Sequence, residues 1–348
     1  MKSQAAILIH INEPLIIDEV SIPSIKPGQV LVKIMYSGLC RSQLMEVTGG
    51  RGEDKYLPHL LGHEGSGIVI AVGEKVTKVN VGDKIILSWI KSKGLDEGGV
   101  QYKLGDRIIN AGAVTTLNEY AVVSENRCVK CPAGVPLDVA VLFGCALPTG
   151  AGIIINELSS RPDSDIAVWG LGGVGLSALA ATGLHPFKRI IAIDVKEAKL
   201  NLAKELGATH CINAEKDNPL TAVMNLTGGL GADYCVEASG RTSNIELAFK
   251  AVKKHGGLCV FASHPPAGEK ICLDPYDLIC GKQLRGTWGG ACDPDRDVSR
   301  FAELYMKKPS AFEKMLSAPY SLGGINQAMD DLAAGKIFRA LIEIGRDQ

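Results

Sequence analysis

The sequence predicts an α/β fold in which a β-rich region precedes a doubly wound parallel sheet of six strands. Three observations carry this. Residues 166–194 read as strand, tight glycine turn, helix, strand and acid. From about residue 149, short apolar runs alternate with amphipathic segments, the rhythm of strands joined by helical crossovers. Before that, short apolar runs are punctuated by Gly and Pro, the pattern of an antiparallel barrel or sandwich. The expected division is one domain of 1–148 with 291–348, and a second of 149–290.

In the first part, residues 30–34 form a strand after the Lys26-Pro27-Gly28 turn, 67–73 form another, and 84–87 follow the Val81-Gly82-Asp83 turn. In the second, 166–169 and 190–193 flank the glycine turn. Residues 198–206 are amphipathic, with Gly207 as C-cap. Residues 210–212, 234–237, 258–261 and 283–288 supply strands three to six. Ile245, Ala248, Phe249 and Val252 mark a helix face at the i, i+3, i+4, i+7 spacing. The tail carries a helical stretch at 298–306 and a strand at 340–344, expected to return to the first domain.

Composition narrows the function. The chain has 348 residues, 46% hydrophobic and 22% charged, enough for about two domains with real cores. A net charge of −1 gives no electrostatic footprint for nucleic acid or an anionic membrane. No apolar run approaches the ~20 residues of a bilayer span, and the N-terminus lacks a secretory layout. The 10 cysteines are irregularly spaced, which suggests reduced thiols in a cytoplasm.

The run Gly170-Leu171-Gly172-Gly173-Val174-Gly175 gives the strand–turn–helix unit its chemistry. Gly170 allows the sharp turn, Gly172 lets backbone approach a pyrophosphate, and Gly175 lets the helix pack close to the strand. The helix start offers N–H groups and a positive dipole end to that anion. Asp194 lies 19 residues after Gly175, where an acid binds a ribose 2′-hydroxyl and opposes a 2′-phosphate. This is a Rossmann-type dinucleotide site that favours NAD over NADP.

Three soft candidate ligands stand in the first part: Cys40 in Gly-Leu-Cys-Arg-Ser, His63 in Gly-His-Glu-Gly, and Cys145 in Gly-Cys-Ala-Leu-Pro-Thr-Gly. Two thiolates and an imidazole suit Zn²⁺ and leave one tetrahedral corner for water or substrate. Singly, each residue reads as a buried small side chain, so spacing alone does not establish a metal. These segments, in this order and with the glycine fingerprint after them, resemble the zinc-dependent alcohol dehydrogenases of the medium-chain dehydrogenase/reductase superfamily, over essentially the whole chain. The resemblance implies a GroES-like β-rich catalytic domain, a Rossmann domain and an active site in the cleft between them. It implies one catalytic zinc per subunit on Cys40, His63 and Cys145, with Glu64 beside it as an alternative ligand. It implies that Ser42 begins proton relay, and that Arg41, Thr149, Lys199 and Arg339 join Gly170, Gly172, Gly173, Val174, Gly175 and Asp194 in holding NAD. Arg339 matches the C-terminal phosphate contact and Lys199 the basic residue near the adenosine ribose. A cysteine as third ligand points to the alcohol/aldehyde branch rather than to sugar and polyol dehydrogenases. Homodimers or homotetramers are implied, with 288–292 as a seam.

The sequence also departs from that pattern. Gln43 stands where an Asp usually orients the zinc-bound His; its amide can still accept from an imidazole N–H, without the charge. Met45 replaces a relay His. Residues 88–122 contain no cysteine, so the structural-zinc lobe is missing. The Cys128–Cys131 pair reads as non-metal, His59 as a structural or pocket-edge residue, and His264 as a loop residue. The loops at 261–264 and 287–290 are expected near the nicotinamide. A zinc-free NADPH quinone reductase and a non-enzymatic nucleotide-binding protein are the competing readings. The Cys/His set argues against the first, and nothing positive supports the second.

Overall fold

A computed structural model describes residues 1–345 and divides into two compact units, 1–145 with 293–305 and Leu316 onward, and 146–292 with 306–315.

In the first unit, Lys2–Leu8, Ile16–Ser21, Val100–Leu104, Arg107–Ala111 and His59–Leu60 close a small barrel around Ile7, Val20, Val100, Tyr102 and Ile109. Beside it runs a second sheet whose central strand, Gln29–Leu39, pairs antiparallel with Glu64–Val72, Tyr120–Ser124 and Ala340–Glu343. Alternation sets its faces: Val30, Val32 and Ile34 turn one way and pack on Val69, Ile85, Leu87 and Val123. The tail strand returns as expected, with Ala340 opposite Leu39. That register puts Arg339 beside the end of the central strand, where Cys40 follows.

The second unit holds six parallel strands in the spatial order His210–Asn213, Arg189–Asp194, Asp165–Trp169, Tyr234–Glu237, Leu258–Phe261 and Gln283–Gly286. Every residue of Asp165–Trp169 is buried, so the strand reads as a continuous apolar run rather than an alternating one. Chain order reverses between Asp165–Trp169 and Tyr234–Glu237, the switch point at which such sheets bind ligands. Among the described residues, no single helix is long and apolar enough to cross a membrane.

Four expectations are corrected. The helix Thr242–Ala251 stops before Val252, which is extended and bridges to Ala232; its burial comes from the sheet, not the helix face. The sixth strand ends at Gly286, not 288, and Trp288 is 82% exposed. Residues 306–315 belong to the second unit, where Lys308 Nζ donates to the Glu205 carbonyl at 3.0 Å and Lys314 pairs with the Glu205 carboxylate at 2.7 Å. An amphipathic pattern states that one face is buried, not which core receives it. The second unit also starts at Ala146 and runs to Cys292, slightly wider than 149–290.

The glycine turn has the form its sequence implies. Gly170 sits at φ +84°, a Cβ on Gly172 would meet nothing within 4 Å, and one on Gly175 would lie 1.9 Å from the Gly170 carbonyl oxygen. Gly→Ala inside a helix ordinarily stabilises by roughly 0.5–1 kcal/mol. Gly175→Ala is expected to do the reverse, by about 1–3 kcal/mol of overpacking, visible as a lowered Tm.

At the end of the fourth strand, burial pushes the Glu237 carboxyl up to about 7, against hydrogen bonds from Ser239 and Gly240 that favour the charged form. The folded chain therefore holds more proton than the unfolded chain between about pH 4.5 and 7, and stability falls as pH rises through that window. The full drop is about 3 kcal/mol. Glu237→Gln removes it, so the variant's Tm relative to wild type is expected to rise between pH 5 and 8 by thermal denaturation.

Candidate metal centre and dinucleotide turn

Each donor of the metal cluster is placed by a different element. Cys40 follows the strand Gln29–Leu39 and stands, extended, immediately before the helix Arg41–Val47. His63 follows Gly62, whose φ is +98° and whose missing Cβ leaves room for the Thr116 hydroxyl. The Leu61 carbonyl accepts from the Thr116 and Leu117 N–H groups at 3.2 Å each, so this corner is pinned from both sides. Cys145 follows the turn Val141–Gly144 and is 6% exposed. The Ser88 hydroxyl donates to the Gly144 carbonyl at 2.8 Å. A Cβ on Gly144 would lie 2.4 Å from the Leu87 carbonyl oxygen and 2.9 Å from Glu64 Cα.

One donor atom each of Cys40, His63 and Cys145 lie within 4.8 Å of one another. Among the described residues this is the group of three or more His, Cys, Asp or Glu donors close enough to share an ion. Two sulfurs and a ring nitrogen at that separation fit a tetrahedral zinc with one corner left over. The local charges fit it too. A hydrogen bond from Cys145, with the charges of Arg339 and His63, holds the Cys40 thiol well below its ordinary range despite burial. Cys145, which donates that bond and is buried, is pushed well above. Burial alone would lower His63, but Cys40 beside it and the nearby Glu64 and Glu46 raise it.

Glu64 and Arg339 form a pair that the resemblance did not announce. Arg339 is 4% exposed and donates Nε to Glu64 Oε1 at 2.7 Å and Nη2 to Oε2 at 2.5 Å. The carboxylate lies over Gly38, where a Cβ would approach Oε1 to 2.4 Å. Arg339 is thus paired with a buried carboxylate, and Glu64 lies outside the three-donor group, held by a guanidinium. Two buried charges need each other more than either needs a distant partner. Gln43 differs as well: its Oε1 accepts from the Cys40 N–H at 3.2 Å rather than from an imidazole, and its Nε2 is buried without a protein partner.

The other candidates each lie within their own unit. Arg41 is exposed at the start of its helix, with Ser42 and Met45 half-buried behind it. Thr149 is buried in the helix Ala146–Gly152, its carbonyl against Gly290. Gly173 and Val174 open the helix Gly173–Thr182. Asp194 is brought to the glycine turn: Oδ2 accepts from the Leu171 N–H at 2.7 Å, Oδ1 from the Lys196 N–H at 3.0 Å, and Lys199 Nζ lies 3.7 Å away. His59 is held between Asp54 and the Leu60 carbonyl, at 2.8 and 2.9 Å. Burial pushes Cys128 up to about 12 and Cys131 to about 11, and neither belongs to the three-donor group. The open space above Gly172 is the cradle a diphosphate requires, so the turn fits a dinucleotide.

Sequence reasoning missed the Glu64–Arg339 pair and the buried Glu237. The pair is separated by 275 residues and has no local signal; Glu237 looks like the ordinary polar end of a strand.

Comparison with known proteins follows the same division. Residues 26–133 match the family described as alcohol dehydrogenase GroES-like domain, and residues 173–307 the family described as zinc-binding dehydrogenase. Benzyl alcohol dehydrogenase from Acinetobacter calcoaceticus superposes with a TM-score of 0.88 at 29% identity, over 99% of this chain and 100% of that one. An alcohol dehydrogenase zinc-binding domain protein from Burkholderia ambifaria gives 0.87 at 28%, with the same coverage. An alcohol dehydrogenase from Thermotoga maritima, at 20% identity and 0.83 over 99% and 100%, shares the fold.

Gly144→Ala tests the placement of Cys145. The added methyl cannot enter the space filled by Leu87 and Glu64, so Cys145 must shift. Zinc affinity, measured by competition with a chromophoric chelator, is expected to fall by about 10- to 100-fold.

Proposed function

The chain belongs to the zinc-type alcohol dehydrogenases of the medium-chain dehydrogenase/reductase superfamily, and from that premise we propose that it transfers a hydride between an alcohol carbon and NAD, giving an aldehyde or ketone. The observation that carries the reading is the meeting of Cys40, His63 and Cys145 within 4.8 Å, from three separate stretches of chain. When bound, zinc supplies Lewis acidity and NAD the hydride acceptor.

The chain's own residues bind and orient. Ser42, two positions past Cys40, takes the proton of the substrate hydroxyl. Met45 cannot carry it further, so it leaves by a path without that side chain. Glu64 acts through Arg339, keeping a cation beside the Cys40 sulfur. Gly170, Gly172, Gly173, Val174 and Gly175 offer backbone to the diphosphate. Asp194 faces the adenosine ribose with Lys199 near it, and this supports NAD over NADP. Arg41, exposed at the start of its helix, is assigned a phosphate contact and Thr149 a cofactor contact. Cys145 as third donor favours simple alcohols over polyols.

We assign one zinc per chain, a cytoplasmic location in keeping with ten free thiols, and a homodimer or homotetramer. The edge strand Gln283–Gly286 and the exposed Trp288 support that assembly.

The purified protein is expected to hold one zinc per chain and to form NADH with alcohols. A screen of aromatic, aliphatic primary, secondary and polyol substrates identifies the class, with aromatic primary alcohols first because of the benzyl alcohol dehydrogenase likeness. NADP should support turnover at least about tenfold less well. Cys40→Ser and His63→Ala should lose zinc and oxidation while NADH binding survives. Full turnover by metal-free protein, or the absence of NADH formation across all classes, would sink the reading.

A further inference from the structure

We propose that Glu237 is a positioning residue for the dinucleotide turn: its buried carboxylate holds Ser239 against Gly170 and so fixes the backbone on which the cofactor diphosphate rests. The inference depends on the NAD reading above and adds a residue to it.

The argument starts from register. Glu237 ends the fourth parallel strand directly beside Trp169, the last residue before Gly170. The Ala238 N–H donates to the Trp169 carbonyl at 2.8 Å, carrying the pairing one residue further. The chain then turns back on the Glu237 side chain. The Ser239 N–H donates to Oε1 at 2.7 Å, and the Ser239 hydroxyl donates to the same oxygen. Asn244 Nδ2 donates to the Ser239 hydroxyl at 2.8 Å, so the serine is held from two sides.

Ser239 is what the glycine turn rests on. A Cβ on Gly170 would lie 2.7 Å from Ser239 N and 2.8 Å from its Cα and Cβ. Contact this close leaves Gly170 no freedom on that side. On the other side the turn is held by Asp194, which accepts from the Leu171 N–H, and by the Gly170 N–H on the Ile193 carbonyl at 2.9 Å. Two carboxylates from the strands flanking Asp165–Trp169 therefore clamp one turn. Asp194 acts on it directly, and Glu237 acts through Ser239.

The cost of Glu237 argues for a task beyond ending a strand. Its residue is wholly buried, and Oε2 has no protein partner. Trp169 and Phe261 are its partners on the two neighbouring strands, Cys259 is close enough to feel its charge, and Cys235 stands two residues before it on its own strand. Both thiols are raised, Cys235 to about 12 by burial and Cys259 by burial together with the charges of Cys235 and Glu237. No cation is among the causes that set its protonation; burial dominates them. An acceptor for two Ser239 donors is what the position needs, and a glutamine retains that oxygen.

The test compares Glu237→Ala, Glu237→Gln and Ser239→Ala with wild type in the zinc-loaded enzyme, reading NADH affinity by fluorescence titration and the separate KM values for NAD and alcohol. Glu237→Ala should raise the NADH Kd and the KM for NAD by about tenfold, with zinc content and the KM for alcohol unchanged. Glu237→Gln should stay within about twofold of wild type, and Ser239→Ala should fall between the two. Wild-type affinity in Glu237→Ala overturns the proposal, as does an equal loss in the glutamine variant. If Glu237→Ala does not fold, an unchanged Kd in Ser239→Ala overturns it. Wild-type protein that binds no dinucleotide at all overturns the NAD reading and this inference together.

Discussion

A thiolate and a carboxylate buried within reach of one another need a cation, and in this chain Arg339 is that cation. Its guanidinium is held by two hydrogen bonds to Glu64, and its charge helps hold the Cys40 thiol below its ordinary range. An unpaired buried charge costs several kcal/mol, and removing one partner of such a pair costs about 3–5 kcal/mol. The metal cluster therefore does not stand alone. It is the exposed end of a charge arrangement whose anchor lies deeper, and whose geometry is set by the sheet register that places Ala340 opposite Leu39.

The second unit solves a related problem differently. The glycine turn must present bare backbone, which leaves no side chain of its own to hold it in shape. The shape is imposed from the neighbouring strands, by Asp194 through Leu171 and by Glu237 through Ser239. Asp194 keeps a small exposed fraction and has Lys199 within 3.7 Å, while Glu237 is sealed and uncompensated. The two carboxylates thus differ in what surrounds them: the first keeps an exposed edge with a cation beside it, the second is confined to the loop after its own strand.

Much of this was legible in the sequence, for reasons that differ by feature. The parallel strands were readable because burial on both faces demands continuous apolar runs between glycines, and the fingerprint was readable because each glycine has a separate steric duty. Cys40, His63 and Cys145 were readable only through the resemblance, since their spacing carries no periodicity. The tail at 306–315 was misplaced because amphipathy does not name the partner core. The pairing of Arg339 with Glu64 went unread because the motif match fixed its place in the chain but not the direction of its side chain. That direction is decided by Glu64, 275 residues away. Gln43 was read by the role of the residue it replaces, whereas the nearest unpaired donor, the Cys40 N–H, takes its oxygen.

These cases share a physical reason. What the sequence announces locally is where backbone must be bare: Gly38 under the Glu64 carboxylate and Gly144 against Leu87 are both positions at which a Cβ would come within 2.4 Å of oxygen. What it does not announce is which charged group occupies the space so created. A missing Cβ permits close approach but does not attract anything. The attraction is electrostatic, acts between residues far apart in the chain, and is strong here only because the fold has removed water from both partners. The precision of the metal centre therefore rests on two kinds of residue: glycines, whose positions a motif can record, and buried ions, whose partners are fixed only once the sheets have formed.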